Sequence, residues 1–177
     1  IWKYQKQIDA LLDSLIESTI SFLSLQAKAG VDVLMIFDSW ASIVPAAHRH
    51  WLVVKPTQEI INGLRKNGHN QPIIGFPKGI GEGLIDYADQ SGVDVIGLDH
   101  GIDPVWADRN LPKNMPIQGN LDPISLLQSG AKMCRDIDHI IDTFSSRPHI
   151  FNLGHGITPL TPPENVQLML DYVRRHR

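Results

Sequence analysis

A single cysteine, Cys134, excludes an internal disulfide and leaves no Cys-x-x-Cys or His-x-Cys pair to seed a zinc site. No apolar run approaches the roughly 18–20 residues that a bilayer span needs. The opening Ile1-Trp2-Lys3-Tyr4-Gln5 also lacks the apolar stretch of a secretory signal. Net charge is only -3, so no global field draws the chain toward nucleic acid or an anionic membrane. No phosphate-binding P-loop is present, and no basic surface interleaved with aromatics. A soluble, cytoplasmic protein is the expectation left standing. The first residue is Ile rather than Met, which points to a processed or truncated piece of a longer protein.

What is present is enough for a core. The 177 residues are 42% hydrophobic, which fits one ordinary domain over residues 1–177 with no linker and no low-complexity segment. Residues 8–29 carry Ile8, Leu11, Leu12, Leu15, Ile16, Phe22 and Leu23 at helical spacing, with Gly30 placed to stop the helix. Val31 to Phe37 is an apolar strand ending in Asp38-Ser39-Trp40, followed by a loop with Pro45, His48, Arg49 and His50. Ile60, Ile61 and Leu64 mark a second helix, closed by Gly68.

The alternation then repeats. Pro72 to Phe76 is a strand followed by Pro77-Lys78-Gly79; Leu84, Ile85 and Ala88 give a short helix stopped near Gly92. Val93 to Leu98 is a third strand, ending in Asp99-His100-Gly101, with a short helix over Val105 to Asn110. Met115-Pro116-Ile117 leads into Gln118-Gly119-Asn120-Leu121-Asp122-Pro123. Met133, Ile137, Ile140, Ile141 and Phe144 form another helical stripe, which also carries Cys134. His149 to Leu153 is a fifth strand that breaks into Gly154-His155-Gly156. Thr161 to Glu164 reads as a capping box for the last helix, with Pro162 in its first turn.

Five strand-like runs separated by helices, several apolar without alternation, fit parallel strands covered on both faces. That pattern suits a TIM-type (β/α)8 barrel or a doubly wound sheet. No Gly-x-Gly-x-x-Gly follows the first strand, which favours the barrel; five units are not eight, so a barrel needs three more from elsewhere.

The chemistry gathers at the ends of these runs. The glycines around His155 let the backbone turn tightly, and the imidazole between them could donate a hydrogen bond, move a proton, bind a metal or sit in a satisfied turn. Asp38 and Ser39 could cap the next segment or serve a site, with Ser39 a hydrogen-bonding hydroxyl rather than a nucleophile. Asp99 and His100 are adjacent, so a strand would turn only one of them toward the barrel mouth. Lys78 is an anion partner or a solvated lysine, and Gln118 and Asn120 orient neighbours or pack. His100, His149 and His155 are spread over more than one unit and no His-x-Cys or Cys-x-x-Cys pair joins them, so no metal is expected on ligand count. His48 and His50 suit a surface or a substrate edge.

Ile36-Phe37-Asp38-Ser39-Trp40-Ala41, Gly97-Leu98-Asp99, Gln118-Gly119-Asn120-Leu121-Asp122-Pro123 and Asn152-Leu153-Gly154-His155-Gly156 occur in order. Together they resemble the carboxyl-terminal half of the uroporphyrinogen decarboxylase family, from about Ile8 to Arg175. The resemblance implies a (β/α)8 barrel, of which this chain carries about the last five βα units, and a homodimer with facing clefts. It implies decarboxylation of the four acetate side chains of uroporphyrinogen III to coproporphyrinogen III in haem and tetrapyrrole synthesis, with no metal or organic cofactor. Ser39 then matches the family's substrate-cleft serine and His155 its cleft histidine, placed to bind a substrate carboxylate or deliver protons. The family's arginine-rich loop, pyrrole-binding aspartate and cleft tyrosine have no counterpart here, so the chain alone is expected to be inactive. Many members carry Trp after Gly-Leu-Asp where this chain has His100. Two alternatives differ in kind. One is an inactive partial barrel or assembly partner, which would expose sheet edges. The other is a corrinoid-dependent methyltransferase of the same superfamily, whose zinc-bound thiol Cys134 is poorly placed to supply.

Overall fold

The computed structural model describes residues 2–176. Five strands, β1 (Leu34–Asp38), β2 (Ile73–Pro77), β3 (Val95–Gly97), β4 (Ile117–Gln118) and β5 (His149–Ile150), form one sheet. Each is parallel to the next, and their order in the sheet is their order in the chain. A doubly wound sheet reverses strand order at a switch point. Here nothing reverses, so the sheet is an arc of five βα units of a TIM-type barrel.

Among the described residues seven α-helices belong to this arc: α1 (Gln5–Lys28), α2 (Lys55–Lys66), α3 (Leu84–Gln90), α4 (Pro104–Asn110), α5 (Pro123–Gln128), α6 (Gly130–Thr143) and α7 (Pro163–Arg174). Register decides which strand residues meet them. Ile36, Gly75, Ile96, Ile117 and His149 share one rung and point at the helices. Ile96 and Ile117 are fully buried there with Leu64 of α2, Ala107 of α4 and Ile137 of α6. Gly75 leaves room on that rung: a Cβ would lie 2.5 Å from the Tyr87 hydroxyl and 2.7 Å from Val93. The next rung points inward, with Phe37 opposite Phe76 and Gln118 between Gly97 and Ile150.

Both edges of the arc are open. Phe37, an inner-rung residue of β1, is 65% exposed, and Ile150 of β5 is 46% exposed. A closed barrel buries such positions.

Several local expectations shift. The first strand begins at Leu34 rather than Val31, because the amide of Leu34 bonds to the carbonyl of Pro72 and proline has no N–H to continue the ladder. The segment before α2 is wound into short helical turns over Ala41–Ile43, Ala46–His48 and His50–Val54, where Val53 and Val54 are buried. The fifth strand pairs only over His149 and Ile150, with an isolated bridge from Leu153 to Leu121. The expected capping box does not form. Pro163 occupies the first helical position, so Pro162 is the N-cap, and the Thr161 hydroxyl meets that of Thr158 at 2.8 Å. Thr161 is one residue too early to reach the amide it would cap.

Candidate active site

The inner rungs and the loops after the strands line an open cavity of about 330 Å3. Its floor is apolar, built by Met35, Phe37, Phe76 and Leu98; its polar side chains are Ser39, Gln118, Asn152 and His155. Ser39 follows β1 and His155 follows β5, so opposite edges of the arc contribute to one concave site at the carboxyl ends of the strands.

Alternation separates Asp38 from Ser39. Asp38 lies on the helix side, where burial pushes its carboxyl above the usual range against the pull of the Trp40 and Ala41 amides. Burial likewise pushes the Tyr87 hydroxyl up to about 12; the Thr57 hydroxyl opposes this and the charge of Asp38 adds to it. Asp38 accepts from the Trp40 amide at 3.3 Å, a turn-forming role. Ser39 is the residue left facing the cavity.

Asp99 and His100 divide in the same way. The Asp99 carboxylate is buried and accepts the Gly79 amide and the Gly101 amide, each at 2.8 Å. It holds backbone rather than ligand. The His100 ring is exposed and lies 6.3 Å from the His155 ring, centroid to centroid. Asn120 is also structural: its amide donates to the carbonyls of Asp99 at 2.9 Å and Ile102 at 2.8 Å. Gln118 lines the cavity and donates toward Met35 Sδ at 3.8 Å.

His149 turns away from the cavity. Its Nε2 is 2.6 Å from the Gly119 carbonyl, which can only accept, so Nε2 carries the proton. Burial lowers its basicity below the ordinary histidine value, partly offset by that bond. The three histidines therefore do not converge. Among the described residues no three His, Cys, Asp or Glu side chains gather in a metal-binding arrangement. Cys134 lies half-buried on α6, in the helix layer and away from the strand ends. His48 and His50 lie on the turns before α2, outside the cavity lining, and Arg49 between them pairs with Glu82 at 3.1 Å.

Of the two glycines around His155, only Gly154 is sterically required. A Cβ there would sit 2.3 Å from the His100 amide nitrogen, whereas one on Gly156 would meet open space. The loop after β5 thus passes directly against the end of β3, and the His100 amide donates to the Gly154 carbonyl at 3.2 Å. The contact that sequence reasoning missed is Lys78 Nζ to His155 Nε2, at 3.2 Å. No local pattern joins a residue after β2 to one after β5.

The model of the family described as uroporphyrinogen decarboxylase (URO-D) matches residues 1–176. The uroporphyrinogen decarboxylase of Novosphingobium aromaticivorans is 47% identical over 166 residues, covering 93% of this chain and 48% of that protein. The one from Sphingopyxis alaskensis is 48% identical over the same length and shares. The one from Maricaulis maris is 42% identical over 173 residues, or 98% of this chain and 50% of that protein. The chain spans about half the length of the curated relatives it matches. Among solved structures, a methyltransferase from Methanosarcina mazei superposes with a TM-score of 0.82 at 20% identity, over 98% of this chain and 51% of that one. That likeness concerns the fold alone. No helix among the described residues is long and apolar enough to cross a membrane.

Proposed function

The chain belongs to the uroporphyrinogen decarboxylase family, and from that premise we propose that its cavity is the carboxyl-terminal share of a site that decarboxylates uroporphyrinogen III to coproporphyrinogen III. The supporting observation is that Ser39 and His155, from opposite edges of the arc, line the same cavity.

Loss of carbon dioxide from an arylacetate leaves an electron pair on carbon. A pyrrole protonated at a ring carbon can take up that pair as the C–CO2 bond breaks. A second proton then converts the exocyclic methylene to methyl, and the ring returns its own proton. On this reading the substrate is its own electron sink, and no organic cofactor or metal is called on. The protein must hold carboxylates, stabilise a cationic ring and supply protons. His155 binds a carboxylate or moves a proton, Ser39 orients a carboxylate, and the apolar floor receives the macrocycle.

The cavity is open along β1 and β5, and a tetrapyrrole with eight carboxylates needs more cationic partners than this arc offers. Activity is therefore assigned to the family-length barrel domain, with the five-unit chain alone inactive. The homodimer and the cytoplasmic location that the family resemblance implies belong to the same proposal. Incubating uroporphyrinogen III anaerobically with the full-length protein and separating the products by carboxylate number tests it. Stepwise appearance of products with seven to four carboxylates is expected; unaltered substrate would overturn the proposal.

A further inference from the structure

We propose that Lys78 is a positioning residue for His155: its ammonium donates to Nε2, fixes the ring as the Nδ1–H tautomer, and so leaves Nδ1–H as the donor offered to a carboxylate ligand. That the ligand is a substrate carboxylate rests on the function proposed above; the tautomer itself does not.

The two side chains meet at 3.2 Å. An ammonium has three N–H donors and no acceptor, so in this pairing Nε2 accepts and the ring proton sits on Nδ1. Nδ1 has no partner among the described residues, and His155 lines the cavity. The orientation of a ring and the identity of its protonated nitrogen follow from the bond made by its other nitrogen.

The contact is more than a chance approach of two surface side chains, because both loops are anchored to one dipeptide at the end of β3. The loop bearing Lys78 is held by the Gly79 amide on the Asp99 carboxylate, at 2.8 Å, and by the Lys78 amide on the Asp38 carbonyl, at 3.0 Å. Gly79 has φ +74°, and a Cβ there would come 2.7 Å from Ser42 Cβ, so this turn excludes other residues. The loop bearing His155 is held by the His100 amide on the Gly154 carbonyl, at 3.2 Å, and by the Gly154 amide on the Leu121 carbonyl, at 2.8 Å. Asp99 sets one partner and His100 the other. The two loops are thus held side by side through the Asp99 carboxylate and the His100 amide, and the lysine places a cation beside the one imidazole lining the cavity.

The test is nitrogen-15 NMR of histidine-labelled full-length protein without substrate at about pH 8, where an ordinary histidine is neutral. The His155 signals are assigned by their loss in His155→Gln. The native spectrum is expected to show Nδ1 protonated and Nε2 bare. Lys78→Met should lose that single-tautomer signature, and Lys78→Arg, which keeps a donor, should retain it. A native His155 protonated at Nε2, or a Lys78→Met spectrum identical to the native one, would overturn the proposal. With substrate, Lys78→Met should lower kcat/KM about tenfold, the size of one lost charge-assisted hydrogen bond. A tautomer that follows Lys78 in a protein with no decarboxylase activity would defeat the functional reading and leave this one standing. Normal turnover with a tautomer indifferent to Lys78 would do the reverse.

Discussion

The Asp99 carboxylate accepts the Gly79 amide at 2.8 Å and so ties the loop after β2 to the end of β3. A second oxygen takes the Gly101 amide at the same distance. Asp99→Ala leaves both amides without a protein acceptor in a part-buried setting, at a cost of about 2 kcal/mol of folding stability. Urea denaturation measures this; a loss below about 0.5 kcal/mol would show that water replaces the carboxylate freely.

Gly154 and Gly156 flank the same histidine and predict opposite outcomes. Gly154→Ala drives a methyl group into the His100 backbone, 2.3 Å away, and should destabilise by at least about 2 kcal/mol. Gly156→Ala meets open space and should shift stability by no more than about 0.5 kcal/mol. Thermal melts of the two variants side by side decide the matter; equal shifts would contradict the close approach of the β5 loop to β3.

His149 makes stability depend on mild acid. Its folded form resists protonation because burial lowers its pKa from the usual 6.5. Below that value the unfolded chain binds a proton that the folded chain does not, so unfolding gains and stability falls with falling pH. The contribution is complete above 6.5 and is lost as pH drops from there through the lowered folded value. His149→Gln should flatten this part of the profile, as read from urea midpoints between about pH 7 and pH 5.

Tyr87 acts at the other end of the scale. Its folded hydroxyl ionises only at about 12, against an ordinary value of 10.0. Between those values the unfolded chain releases a proton that the folded chain keeps, so stability declines as pH rises from 10.0 toward about 12. Tyr87→Phe should reduce that decline while costing little at neutral pH, because the bond to Thr57 is long at 3.5 Å. An unchanged alkaline slope in the variant would contradict the burial of the hydroxyl.

Apolar runs ending in Gly or polar residues were sufficient to place five parallel strands and to put Ser39 and His155 just beyond their carboxyl ends. Those features are local, since a strand covered on both faces must be apolar throughout. Which member of an adjacent pair faces the cavity was not legible. That choice between Asp38 and Ser39, or between Asp99 and His100, follows from register with strands far away in sequence. Lys78 lies beyond sequence reading for the same reason: its partner is on another loop three strands away in the sheet. The capping box failed on a single-residue shift, because Pro163 rather than Pro162 starts α7.

On the function proposed above, His155 acts on substrate within the cavity it shares with Ser39. The measurement that meets it most directly is steady-state decarboxylation of uroporphyrinogen III by full-length His155→Asn, beside the unaltered protein. The imidazole is exposed, and among the described residues its side-chain hydrogen bond is to Lys78 alone, with the His100 ring 6.3 Å away, so the fold should survive the change. Turnover should fall by about tenfold or more, in the range expected for loss of a group that binds or protonates the reacting centre. Full turnover with an unchanged KM would rule out that role for His155.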